Sequence, residues 1–158
     1  MDNPITYRSM APGEEEEVCA LINRVFDEFI APGYTPQGIL EFRNYVQPEA
    51  LLERCQTSSF VLVAMGRDKV VGMIELRDNN HLSLLFVDRQ YQGRGISREL
   101  LHRALNLCRR ARPDLTRLTV NSSPYAVPIY EKLGFEPVEP EKVVNGIRFI
   151  PMVLRLSG

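Results

Sequence analysis

The chain has 158 residues, 44% apolar and 25% charged, with a formal net charge of −1 and an isoelectric point of 6.2. That length suits one domain with a sizeable core, and no run approaches the ~20 apolar residues of a membrane span. Met1-Asp2-Asn3-Pro4 has neither the basic nor the apolar region of a signal peptide, so a cytoplasmic protein is expected, and the absence of an aromatic-laced basic stripe argues against nucleic acid as partner.

Ile5 to Met10 alternates as a first strand, and Pro12-Gly13 breaks the chain behind it. Glu14 to Glu17 then open a helix whose dipole favours carboxylates. Val18, Leu21, Ile22, Val25, Phe26 and Phe29 follow the spacing of one buried helical face. This helix is expected to run to Ile30, where Ala31-Pro32-Gly33 stops it. Thr35-Pro36 reads as an N-cap and first-turn proline for a second helix through Val46, and Pro48 opens a third.

From Ser59 the period changes to that of strands. Phe60–Met65 and Val70–Leu76 flank the hairpin signature Gly66-Arg67-Asp68-Lys69, and Leu82–Val87 follows as a third consecutive strand, an antiparallel meander. Gln90-Tyr91-Gln92-Gly93-Arg94-Gly95 joins that strand to a long one-faced helix through Ile96, Leu100, Leu101, Ala104, Leu107, Cys108 and Ala111. Glycines lacking Cβ at a helix N-terminus form an anion cradle, because free backbone N–H groups converge there. Leu115–Val120 is a further strand, Ala126–Leu133 a helix ending at Gly134, and Phe135–Val138 with Gly146–Leu156 complete the sheet. The expected fold class is mixed α/β: a mostly antiparallel sheet of about seven strands with helices on both faces, in one domain.

Charge is uneven along this layout. Residues 1–58 hold 4 Arg against 10 Asp and Glu, and residues 59–158 hold 15 Lys and Arg against 10 acids. An anionic ligand suits the second part and an amine-bearing one the first; surface charge without a role is the other reading. Cys19, Cys55 and Cys108 lack metal-type spacing and read as reduced thiols. No metal is expected.

The glycine segment resembles the signature of the GCN5-related N-acetyltransferases (GNAT): Gln or Arg, two residues, Gly, one residue, then Gly or Ala. Leu85-Phe86-Val87 matches the strand end before it, and Ala126, Tyr130, Leu133, Gly134 and Phe135 match a second signature downstream. Arg89 stands where many members have Pro, Ser97 where Gly is common, and Ser123 where many have an Asn touching pantetheine. Ser123 then serves as the helix cap, and Asn121 at the strand end takes over the contact. The resemblance implies acetyl-CoA as co-substrate, its pyrophosphate on the amides of Gln92, Gly93, Arg94, Gly95, Ile96 and Ser97 and its pantetheine alongside Leu85, Phe86 and Val87.

It also implies direct transfer to a primary amine within a ternary complex, the Val87 N–H facing the oxyanion and Tyr130 protonating the thiolate. For the base, Glu75 inside an apolar strand is the first candidate and His81 the second; a solvent-facing Glu and a turn His are the ordinary readings. Asp27, Glu28, Phe29 and Tyr34 are candidate walls for a small-molecule or peptide amine, although Phe29 also fits its helix's core face. A homodimer is left open. The alternative function is a catalytically silent acyl-CoA-binding sensor or partner subunit. A Rossmann site fits less well, because Arg98 replaces the third glycine and the loop follows a meander. A P-loop is excluded by the absence of Gly-Lys-Ser/Thr.

Overall fold

Alternation in the meander creates two apolar layers. On β2 (Ser59–Gly66), Val61 and Val63 face one side of the sheet and Leu62 and Ala64 the other, as the two-residue period of a strand requires. The first side is covered by α1 (Glu15–Val25), α2 (Pro36–Tyr45) and α3 (Pro48–Thr57), with Val18, Leu21, Ile22, Phe26 and Leu51 buried. The second is covered by α4 (Ile96–Ala111) and α5 (Val127–Lys132), with Leu100, Ala104, Cys108 and Tyr130 buried. The computed structural model describes residues 4–157.

The remaining strands are β1 (Thr6–Ser9), β3 (Lys69–Arg77), β4 (His81–Val87), β5 (Arg117–Ser122), β6 (Glu136–Pro137), β7 (Lys142–Val144) and β8 (Ile147–Arg155). The sheet order is β1-β2-β3-β4-β5-β8-β6, with β7 paired to β8 beside it. All neighbours are antiparallel except β4 and β5. The mixed, two-sided architecture is as expected, but there are eight strands among the described residues. Sequence periodicity missed β7 because it buries no face: Val143 and Val144 are 62% and 53% exposed.

Several local expectations are met by observed bonds. The Thr35 hydroxyl accepts the Gly38 N–H at 3.1 Å, capping α2. The β2–β3 turn places Arg67 and Asp68 at φ 52° and 63°, the left-handed pair of a two-residue hairpin. Cys19 and Cys108 are buried and all three thiols are free; burial pushes Cys19 and Cys108 up to about 11, so both remain protonated at neutral pH.

The first helix differs from its expected course. Its α-helical bonding stops at Val25, and Phe26–Ile30 form a π turn closed by the Ala31 N–H on the Phe26 carbonyl. The wider turn carries Phe29 off the fully buried stripe. A further contact has no local sequence signal: the β7–β8 turn at Gly146 lies against the start of α2, and a Cβ on Gly38 would meet the Gly146 carbonyl oxygen at 2.2 Å. Two distant glycines thus allow backbone to touch backbone.

Candidate active site

β4 is paired differently at its two ends, and the site lies where pairing fails. It meets β5 only at His81↔Thr119 and Leu82↔Val120. Immediately beyond, its register with β3 slips, Leu82 facing Leu76 but Leu84 facing Glu75, so Ser83 is an extra residue. Such a bulge bends its strand, and from there β4 parts from β5.

The ladder on the β3 side shows which groups the parting frees. Asp88 N–H donates to the Val71 carbonyl at 2.8 Å, and Val87 faces Gly72. Because bonded and non-bonded pairs alternate in an antiparallel ladder, the N–H and C=O of Val87 and of Leu85 turn toward the gap. The Gln92 side-chain amide donates to the Val87 carbonyl at 3.1 Å. The Val87 N–H is left pointing into the opening.

Behind the gap lies the glycine loop. Gly93 and Gly95 both hold φ +80°, and a Cβ at either would meet nothing within 4 Å, so their backbone conformation and not packing demands glycine. Gly95 caps α4 with no side-chain bond, and the helix's first backbone bond is Glu99 N–H to Gly95 O at 3.0 Å. The amides from Gly95 to Arg98 therefore have no intrahelical acceptor, and the helix dipole adds positive potential there.

Together these elements enclose a cleft of about 540 Å³, within the range of small-molecule sites. Leu85, Phe86, Val87, Gln92, Gly93, Gly95, Ile96, Ser97 and Tyr130 line it. Tyr130 is 7% exposed and packs edge-on to Phe135 with ring centroids 5.5 Å apart. Burial alone pushes its phenol above the ordinary tyrosine range, so it stays protonated well into the alkaline range.

The Acetyltransferase (GNAT) domain family matches residues 30–156. The chain belongs to the GNAT family. It is 34% identical over 136 residues to the peptidyl-lysine N-acetyltransferase YjaB of Escherichia coli (strain K12), covering 84% of this chain and 82% of YjaB. It is also 29% identical over 141 residues to the uncharacterized N-acetyltransferase YafP of the same organism, covering 89% of this chain and 87% of YafP. The PaiA N-acetyltransferase of Thermoplasma acidophilum in complex with coenzyme A has the same fold, with a TM-score of 0.78 at 21% identity over 97% of this chain and 99% of that one. GNAT enzymes move an acetyl group from acetyl-CoA to an amine, and this chain is an acetyltransferase of that kind; a silent CoA-binding module is not favoured.

Within this GNAT fold several residues stand elsewhere than expected. Glu75 is fully buried, with both oxygens held by the Arg54 guanidinium at 2.8 and 3.0 Å. Arg54 in turn lies 3.7 Å from the Tyr45 ring centroid and donates to the Tyr45 carbonyl at 2.7 Å. The carboxylate so held forms an ion pair joining α3 to β3. His81 is at the far end of β4, about 20 Å from Val87 by strand rise. Its Nδ1 lies 2.7 Å from the Thr119 hydroxyl, and burial together with Arg77 lowers it to about 4. It does not face the cleft.

Asn121 lines a separate cavity with His81, Arg117 and Pro151 and is not among the described residues that line the cleft. The Ser123 hydroxyl accepts the Ala126 N–H at 3.2 Å in the turn before α5, whose N-cap is Ala126 with no side-chain bond, so Ser123 is not the expected helix cap. Arg94 does not line the cleft; its guanidinium lies 4.9 Å from the Tyr91 ring centroid. Arg98 does line it and donates to the Lys132 carbonyl at 3.1 Å.

On the other side of the gap, Asp27 is bonded to Arg43 at 2.8 Å and Glu28 to Arg89. Tyr34 packs edge-on against Phe26. Phe29, partly buried against the α1–α3 core as its helical spacing suggested, also stacks on Tyr125 with centroids 5.4 Å apart at 20°. Sequence reasoning missed Tyr125, Val25 and Ile30 as cleft residues. Tyr125 has no local signal beyond preceding Ala126 of the second signature.

Proposed function

We propose that this GNAT enzyme acetylates a primary amine, peptidyl lysine in the first instance, by direct attack on acetyl-CoA bound in the β4–β5 gap. The observation carrying this reading is the one-sided edge of β4 at Leu85 and Val87, which opens onto the amide nest of Gly93–Ser97 with Tyr130 buried on the opposite wall. The similarity to YjaB supports lysine as the acceptor class.

In this reading the pyrophosphate lies on the amides before and within the first turn of α4, as anions do at helix N-termini. Pantetheine takes the place of a strand beside Leu85 to Val87. The amine nitrogen attacks the thioester carbonyl carbon, and the negative charge that forms on oxygen meets the Val87 N–H. The C–S bond then breaks, and the Tyr130 hydroxyl gives its proton to the departing thiolate, to be replenished from solvent. No Asp, Glu or His is among the cleft's described lining residues, so the proton lost by the amine passes to water. A lysine ammonium has a pKa of about 10.4, and the alkaline-rising limb of the rate then follows the acceptor's own ionisation.

Incubation with acetyl-CoA and a lysine-containing peptide, read by thiol release and by mass spectrometry of the peptide, tests the reading. Acetylated peptide with stoichiometric thiol is expected. CoA binding without transfer to any amine would revive the silent-module alternative.

A further inference from the structure

We propose that the Phe29–Tyr125 stack is the acceptor gate of this enzyme, admitting an amine carried on a slim unbranched chain and excluding one borne directly on a ring. The proposal rests on the transfer reaction described above and adds the acceptor's shape to it.

The stack joins the two faces of the sheet beside the β4–β5 gap. Phe29 ends the helix that covers the α1–α3 face, and Tyr125 lies in the turn leading into α5 on the other. Tyr125 lines the cleft together with Val87 and Tyr130, so its ring stands beside the position assigned to the thioester, with Phe29 stacked on it. Tyr125 remains 44% exposed even when stacked, whereas Phe29 also packs against the core on the α1–α3 face. The π turn of Phe26–Ile30 puts Phe29 there, and such turns are frequent at functional sites.

The surrounding chemistry narrows what passes. Val25, Ile30 and Phe86 give the cleft an apolar wall on this side, which suits an aliphatic stem. The Asp27 and Glu28 carboxylates on this side are paired with Arg43 and Arg89, which weakens their pull on a polycation. An ammonium approaching instead meets ring faces, which attract cations, and loss of water beyond them favours the neutral, nucleophilic amine. A ring attached directly to the amine would have to occupy the space the stack fills.

The test uses n-hexylamine and cyclohexylamine, two alkyl amines that differ in shape, with acetyl-CoA and the wild type, Phe29→Ala and Phe29→Leu. The wild type should favour n-hexylamine by at least about tenfold in kcat/KM, the scale on which a pocket rejects misfitting apolar bulk. Phe29→Ala should reduce that preference by about tenfold through a gain on cyclohexylamine, with Phe29→Leu between them. CoA affinity, read by calorimetry, should stay within about twofold, because Phe29 does not line the CoA cleft. An unchanged preference in both variants, or loss of CoA binding in both, would overturn the gate. Failure of the wild type to acetylate either amine or a lysine peptide would overturn the transfer reading and the gate with it.

Discussion

The two ends of β4 have opposite fates within seven residues. At His81 the strand is paired on both sides, and the histidine is held neutral by burial against Thr119. At Val87 one edge is bare, and the chain runs on into glycines and a helix N-terminus. Only the unpaired end leaves backbone donors free for a ligand, and the extra residue at Ser83 separates the two regimes. A titratable side chain is no guide to the active end; the missing strand partner is.

The largest expected effect lies at the open end. Tyr130→Phe should lower kcat by about 10²- to 10⁴-fold, the usual contribution of a positioned acid, while CoA affinity is nearly kept; unchanged turnover would remove the phenol from the chemistry. Next comes the buried pair beside the closed half of the strand. Glu75→Gln should cost stability by about 3–5 kcal/mol, since it leaves the Arg54 charge unpaired. Denaturant unfolding measures this, and an apolar replacement of both partners should recover much of the loss. If the folded Glu75→Gln enzyme instead lost the alkaline-rising limb of its rate, Glu75 would be the base after all.

Gly95→Ala is expected to weaken CoA binding by about tenfold, because a Cβ at φ +80° costs roughly 1–2 kcal/mol in the left-handed region. The smallest effect belongs to His81. Its folded pKa of about 4 lies below its ordinary 6.5, so between those values the unfolded chain binds more protons and stability falls as pH drops from 6.5 toward 4. His81→Asn should flatten that slope and leave the pH dependence of turnover unaltered. A shift in the rate profile would join the two ends that the structure keeps apart.

What was legible follows from how each part is built. The amide nest and the β4 edge are contiguous in sequence, so Gly93, Gly95 and the apolar strand before them announce the donor site directly. The proposed acceptor side draws on Phe29, Tyr125, Arg43 and Arg89 from four separate segments. Acidic composition suggested free carboxylates there, but Arg43 and Arg89 neutralise two of them. Glu75 looked exceptional in an apolar strand, and it is, but its partner Arg54 lies 21 residues away on α3, beyond any local pattern.

From the sequence alone came the periodicities, caps and turns, and with them the two-layered mixed sheet and a phosphate-type cradle, because these are set by neighbours within a few residues. Tertiary structure alone decided which edge of β4 goes unpaired, that Glu75 is an ion-pair partner, that His81 is remote, and that a π turn brings Phe29 onto Tyr125. Each of those depends on pairings and contacts between segments distant in the chain, where packing and charge partners outweigh local propensity.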